Sequence, residues 1–138
     1  MYRNILIATD GSDLATEAAQ HGIALAKRLG SKVTIVNVTE PFYGPADAQP
    51  YIVQAARQQA YVILAGLADA AKTAGVPCET AHVEKTPAYL AIIETAQATN
   101  SELIVMGSHG RSGVESLFLG SHTLKVLSHS KVPVLVYR

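Results

Sequence analysis

The stretch Leu103-Ile104-Val105-Met106-Gly107 decides how this chain folds, because four consecutive apolar residues end directly at a glycine. A short run of this kind is typical of a strand buried on both faces, as in a parallel sheet. Ile5-Leu6-Ile7-Ala8 is a second apolar run, and Asp10-Gly11-Ser12 after it indicates a turn. We therefore predict buried strands at 103–106 and 5–8, the former in the centre of the sheet.

Helical and strand patterns alternate along the rest of the chain. Apolar and small residues recur at helical spacing over 15–29, with Ser12 or Asp13 as the N-cap and Gly30 as the terminating residue. The strand at 79–83 is assigned to a sheet edge because polar residues interrupt it. The last strand is also assigned to an edge, because Pro133 lies near its start. The remaining predicted elements are strands at 33–38 and 132–137, and helices over about 51–73, from 86–87 onward and through 123–127.

This alternation, which ends on a strand, restricts the topology. It requires a mostly parallel sheet with right-handed crossovers and helices on both faces. We therefore predict one α/β domain over residues 1–138, with a single open five-stranded sheet of Rossmann-like type.

The composition excludes several classes of protein. Hydrophobic residues make up 49% of the 138 residues and charged residues 16%, which argues against disorder. The formal net charge is zero, so the totals do not indicate the strongly basic face of a nucleic-acid binder. Cys78 is the single cysteine and cannot form an intramolecular disulfide. The apolar runs are too short to cross a membrane and the start does not resemble a signal peptide, so we expect a cytoplasmic protein without membrane or nucleic-acid partners.

A set of glycines follows the strand at 103–106. Two residues lie between Gly107 and Gly110, nine lie between Gly110 and Gly120, and Ser121 begins the next predicted helix. Glycine permits positive φ and lets a ligand approach the backbone closely. Free N–H groups at a helix start attract phosphate, and successive loop amides can form an anion-binding nest. This pattern indicates a phosphate-binding site.

Three side chains near these glycines could add to such a site. Ser121 offers a hydroxyl, Arg111 offers a positive charge, and His109 could donate to a phosphate or act as a general acid. The pattern is neither a P-loop, because no Gly-Lys pair is present, nor the dinucleotide fingerprint, which would follow the first strand. On spacing alone the glycines could equally turn a loop and cap a helix.

Over its whole length the chain resembles the universal stress protein family. The resemblance is carried by 5–12, by the helix after it, by 103–108 and by the closing Val132-Pro133-Val134-Leu135-Val136. The glycine spacing matches the signature of the ATP-binding members. The resemblance implies the sheet order 3-2-1-4-5, in which the order reverses between strands 1 and 4. Ligands of open α/β sheets bind at such a reversal, beyond the carboxyl ends of the strands.

The resemblance also implies the roles of single residues. Residues 8–10 would border the adenosine, Val38 would meet the adenine, the 107–110 turn would approach the ribose and phosphates, and 120–123 would hold the phosphates. Two positions depart from the family pattern: His122 stands where a small apolar residue is frequent, and Ala8 where proline is common. The implied nucleotide-binding residues are Ala8, Thr9, Asp10, Val38, Met106, Gly107, Ser108, His109, Gly110, Arg111, Gly120, Ser121, His122 and Thr123.

Asp10 and the last strand each have two interpretations. Asp10 could bond the ligand or help to hold Mg²⁺, or it could simply form a turn before Gly11. The last strand is an apolar edge, and such edges invite pairing. In the family the equivalent strand pairs with its copy, which implies a homodimer through Val132 to Val136; the alternative is an edge covered by the chain's own loop.

The leading hypothesis is a stress-response or signalling protein that binds ATP, with Mg²⁺, and turns it over little. The first alternative is a slow ATPase or autophosphorylating enzyme, for which His109, Arg111 and Ser121 supply only fragments of the required machinery. The second alternative is an interaction module whose partner ignores ATP.

Overall fold

The computed structural model of the chain describes residues 1–41, 44–110 and 119–138. Within them strands and helices alternate as predicted. The elements are β1 (Asn4–Ala8), α1 (Asp13–Leu29), β2 (Lys32–Thr39), α2 (Gln49–Ala74), β3 (Cys78–Glu84), α3 (Ala88–Ala98), β4 (Leu103–Gly107), α4 (Ser121–His129) and β5 (Val134–Tyr137).

The five strands form one parallel sheet in the order β3-β2-β1-β4-β5. The predicted Rossmann-like fold with the order 3-2-1-4-5 is therefore confirmed. β1 is the middle strand, with Ile7 paired to Ile35 of β2 on one side and to Val105 of β4 on the other. β4, which the sequence predicts in the centre, is an interior strand one place away from it, between β1 and β5. The chain passes to one side of β1 through β2 and β3 and to the other side through β4 and β5. The order thus reverses between β1 and β4.

Two apolar clusters cover the two faces of the sheet. On one face Ile5, Ile7 and Val105 pack against α1 and α2. On the other face Leu6 and Ile104 pack against α3 and α4. Successive residues of β1 therefore serve opposite faces, as the two-residue period of a strand requires, which explains why its apolar run is continuous.

The helix ends follow the capping residues. The Ser12 hydroxyl accepts from the Ala15 N–H at 3.3 Å at the start of α1, and Gly30 ends that helix in the left-handed conformation with φ of 68°. Gly75 ends α2 in the same way, with φ of 76°. Of the two N-caps proposed for α1, Ser12 is correct.

Three predicted boundaries are wrong by one to two residues. α2 begins at Gln49 rather than near residue 51, because Pro50 fits the first turn of a helix. α3 begins at Ala88, with Pro87 as its N-cap after a cis peptide bond. β5 begins at Val134 rather than Val132, since the Val132 N–H bonds to the Ser130 hydroxyl at 3.0 Å instead of joining the ladder. In the part of the chain that the structure describes, no helix has both the length and the apolar character needed to cross a bilayer.

Candidate functional site

A cavity of about 640 Å³ opens where the strand order reverses. It lies beyond the carboxyl ends of β1, β2 and β4, next to the N-terminal ends of α3 and α4. Its volume falls within the range of about 300–1,000 Å³ that is typical of small-molecule sites. The described residues that line it are Ala8, Thr9, Asp10, Ala15, Val36, Val38, Glu40, Ala88, Ile92, Met106, His109, Gly110, Leu119, Gly120, Ser121, His122 and Thr123.

One side of the cavity is apolar. Val36 and Val38 are two residues apart on β2 and so project from the same face of the sheet. Ala88 and Ile92 are four residues apart on α3 and so lie on one helix face. Met106 of β4 completes this wall. The arrangement suits a flat apolar group.

The opposite side brings the loop after β4 against the start of α4. The Gly120 N–H donates to the Ser108 carbonyl at 2.7 Å. The Thr123 hydroxyl lies 3.0 Å from the Gly107 carbonyl and 3.2 Å from the Ser108 carbonyl, so its single proton is already shared between two acceptors. The two glycine-containing segments that the sequence singles out are therefore joined directly, and the cavity opens beside them.

The start of α4 offers backbone donors. Gly120 is its N-cap, and no described side chain caps the helix. The first hydrogen bond across this turn runs from the Leu124 N–H to the Gly120 carbonyl at 3.0 Å. The N–H groups of Ser121, His122 and Thr123 precede it and have no acceptor within the helix. These amides and the helix dipole favour an anion at this wall of the cavity.

The glycines are required for close approach rather than for positive φ. A Cβ on Gly110 would lie 2.5 Å from Asp10 Oδ2, and one on Gly120 would lie 3.1 Å from the Ser108 carbonyl oxygen. Neither residue, nor Gly107, has positive φ. The tolerance of glycine for positive φ is therefore not used at these three positions, and the tight contacts of Gly110 and Gly120 are with other parts of the protein.

Asp10 forms a hydrogen bond within the turn after β1 and also lines the cavity. Its Oδ1 accepts from the Ser12 N–H at 2.9 Å, which is the turn interpretation of this residue. Thr9 is 6% exposed and is held by two hydrogen bonds. Its carbonyl accepts from the Asn37 side chain at 3.0 Å, and its hydroxyl accepts from the Gly11 N–H at 3.1 Å. The end of β1 is therefore held in place before any ligand arrives.

Among the described residues, no group bonds to one buried polar atom of His109. Its Nδ1 lies 2.9 Å from the Ser108 hydroxyl, whereas no described residue bonds to its buried Nε2. Buried polar atoms are nearly always bonded, so an exception indicates a group whose partner arrives from elsewhere.

The sequence-predicted residues divide into three groups. Most of them line the cavity. Gly107 and Ser108 are buried behind its wall, where their carbonyls hold α4 through Thr123. Arg111 lies outside the described residues.

Sequence reasoning missed six lining residues: Ala15, Val36, Glu40, Ala88, Ile92 and Leu119. Val36 could have been found from Val38, because alternate residues of a strand share a face. Ile92 could have been found from the apolar face of its helix. Glu40 has no comparable signal, since it follows β2 in a proline-containing segment.

Among the described residues, no cluster of three or more His, Cys, Asp or Glu side chains could hold a metal ion. Cys78 packs against the apolar cluster beneath α1 and α2. Burial raises the pKa of its thiol, and the nearby Glu79 raises it further. Cys78 is therefore a poor nucleophile, in agreement with its structural interpretation.

Comparison with known proteins gives one consistent result. The sequence profile described as the universal stress protein family matches residues 1–138. A universal stress protein of Methanocaldococcus jannaschii is 35% identical over 142 aligned positions, which cover 100% of this chain and 83% of that protein.

Two solved structures show the same architecture. A universal stress protein from Lactobacillus plantarum superposes with a TM-score of 0.85 at 25% identity, covering 99% of this chain and 98% of that one. A universal stress protein in complex with cAMP superposes with a TM-score of 0.73 at 28% identity, covering 99% and 97%.

Proposed function

The chain belongs to the universal stress protein family, and we propose that it binds an adenine nucleotide, ATP, in the cavity beyond β1 and β4. The observation that carries this proposal is the meeting of two unlike walls in one cavity of about 640 Å³. One wall is apolar and the other presents backbone donors at a helix start. A purine nucleotide has the same division, with a flat base at one end and phosphates at the other.

The apolar wall is the candidate for the adenine. Val36 and Val38 of β2 face Ile92 of α3 across this part of the cavity lining, with Ala8 at the end of β1. Such surfaces contact a base by dispersion and exclude water from it. Thr9 and Asp10, directly after β1, also line the cavity and are the candidates for the ribose.

The start of α4 is the candidate for the phosphates. The N–H groups of Ser121, His122 and Thr123 are suited to oxygen acceptors, and the Ser121 hydroxyl could add a bond. The Thr123 hydroxyl is already engaged with two carbonyls, so its contribution would come from its amide. His109 Nε2, to which no residue in the described ranges bonds, offers a further polar contact from the loop after β4.

A related protein supports the ligand class. The universal stress protein solved with cAMP is 28% identical to this chain and has the same fold along 99% of it. An adenine nucleotide is thus bound by a protein of this family. The extension from cAMP to ATP rests on the glycine spacing of residues 107–120 and on the donors at α4.

Magnesium would enter with the nucleotide rather than ahead of it. Mg²⁺ usually combines one or two carboxylates with substrate phosphates. Asp10 is the candidate carboxylate because it lines the cavity against Gly110. When bound, the ion would neutralise phosphate charge.

Calorimetry with Mg-ATP tests the proposal. We expect saturable binding and a rise in melting temperature with the wild-type protein, since a ligand that binds only the folded state stabilises it. Val38→Trp fills the apolar wall and should abolish binding, whereas Val62→Trp, on an exposed position of α2, should bind as the wild type does. No heat and no thermal shift with the wild-type protein at millimolar Mg-ATP would refute the proposal.

Turnover is measured separately. We propose binding with little hydrolysis, because phosphoryl transfer needs an in-line nucleophile, metal and positive charge placed together. ADP release should stay at contaminant level and be the same in Gly110→Ala. Steady release that Gly110→Ala abolishes would favour the slow ATPase instead.

A further inference from the structure

One carboxylate connects both helix starts that border the cavity. Glu40 follows β2, and its Oε1 accepts from the Ala88 N–H at the start of α3, at 3.2 Å. The same atom lies 3.6 Å from Nε2 of His122, in the first turn of α4. Glu40, Ala88 and His122 all line the cavity. This contact spans the cavity from the β2 side to the α4 side.

We propose that Glu40 and His122 determine how many phosphate charges the cavity accepts. The proposal rests on the proposed nucleotide binding and adds its charge specificity. Glu40 Oε1 lies 3.6 Å from the His122 imidazole in the first turn of α4, and its carboxylate adds a negative charge near the start of that helix. Each additional phosphate charge is therefore disfavoured by the Glu40 carboxylate, which also competes with the phosphates for the His122 imidazole.

The contacts of Glu40 favour a charged carboxylate beside the cavity. The Ala88 N–H and the dipole of α3 both stabilise a carboxylate at that place. The half-exposed Glu40 side chain is thus favoured in a position next to the cavity. Coulomb repulsion between a carboxylate and a phosphate about 4 Å apart is appreciable even in water, and it grows where the ligand excludes water.

The pair contributes little to the fold, which makes it testable. The side chains of His122 and Glu40 are 49% and 48% exposed, and contacts between groups this exposed have small effects on stability even when both groups are charged. Glu40→Gln removes the charge but keeps an oxygen that can accept from the Ala88 N–H. This substitution therefore separates the electrostatic role of Glu40 from its role at the start of α3.

The experiment compares adenosine, AMP and Mg-ATP by titration calorimetry. In Glu40→Gln we expect ATP to bind about three- to tenfold more tightly, AMP to gain less, and adenosine to change by less than about twofold. The matched control is Glu94→Gln, which removes a carboxylate that pairs with Lys85 and lies outside the cavity lining. It should leave all three affinities unchanged.

A double-mutant cycle tests the part played by His122. His122→Ala should cost more ATP affinity in the Glu40→Gln background than in the wild type, because there no carboxylate competes with phosphate for the imidazole. Equal gains for all three ligands in Glu40→Gln, the same gains in Glu94→Gln, or additive effects in the cycle would overturn the inference while leaving nucleotide binding intact. Absence of binding by all three ligands to the wild-type protein would overturn both.

Discussion

At the scale of single residues, the contact between Asp10 and Gly110 matters most. The Asp10 carboxylate bonds to the Ser12 N–H through one oxygen, and its other oxygen lies where a side chain on Gly110 would begin. The loop after β4 and the turn after β1 are thereby pressed together. A side chain at residue 110 would therefore have to displace the Asp10 carboxylate, even without a ligand.

Substituting Gly110 with alanine tests the contact. The new Cβ would lie 2.5 Å from Asp10 Oδ2 and must displace the carboxylate. We expect Mg-ATP affinity to fall about tenfold, which is ~1.4 kcal/mol, with a smaller loss of stability. Titration calorimetry and chemical denaturation measure the two effects. Gly66→Ala is the matched control because its Cβ meets nothing within 4 Å, and unchanged affinity in Gly110→Ala would refute the role given to Asp10.

Sequence reasoning at this scale found the positions of the glycines but not the physical reason for them. Glycine spacing reports that the backbone approaches something closely, without reporting what it approaches. For Gly120 the neighbour is the Ser108 carbonyl oxygen. Similarly, the position of Thr123 at a helix start suggests a free hydroxyl, and only the coordinates show that Gly107 and Ser108 already use it.

At the scale of the elements, local patterns were sufficient for type and order. Ser12 and Gly30 mark the ends of α1 because capping depends on a few neighbouring residues. The start of β5 was misplaced because the Ser130 hydroxyl takes the Val132 N–H, a bond that periodicity does not reveal. Boundaries of this kind depend on competition between side-chain and ladder hydrogen bonds.

The same substitution in two helices should have opposite effects. A Cβ on Gly22 of α1 would lie 2.9 Å from Ile7 Cδ1 and 3.4 Å from Val105 Cγ1, so Gly22→Ala should destabilise the fold by about 1–3 kcal/mol through overpacking. On α2, Gly66→Ala meets open space and should stabilise it by about 0.5–1 kcal/mol. Urea unfolding of both variants measures these signs, and a stabilised Gly22→Ala would contradict the packing of α1 on β1 and β4.

At the scale of the whole molecule, the sheet order produces the cavity. Reversal between β1 and β4 leaves a crevice that α3, α4 and the loop after β4 enclose. The alternation of elements predicts a parallel sheet, but the order of its strands came only from resemblance to a family. The sequence did not predict that Glu40 lines the cavity, because its position depends on how the chain after β2 contacts α3 and α4.

The β5 edge of the sheet is the candidate surface for assembly. β5 is one edge strand, and its Leu135 is 40% exposed. We propose that this edge pairs with the same strand of a second copy around a two-fold axis. Leu135→Glu places like charges close to that axis and should convert a dimer into a monomer, as light scattering would measure. Val62→Glu, on the exposed face of α2, should stay dimeric; a wild-type monomer would contradict the proposal.

The central claim is that one cavity holds the base against β2 and α3 and the phosphates against the start of α4. Amide chemical shifts of the ¹⁵N-labelled protein, recorded during titration with Mg-ATP, test it most directly. The claim predicts that the largest changes occur at Val38, at Asp10 and Gly110, and at 121–123. Saturable changes confined to the β5 edge or to the exposed face of α2, with residues 121–123 unaffected, would contradict it.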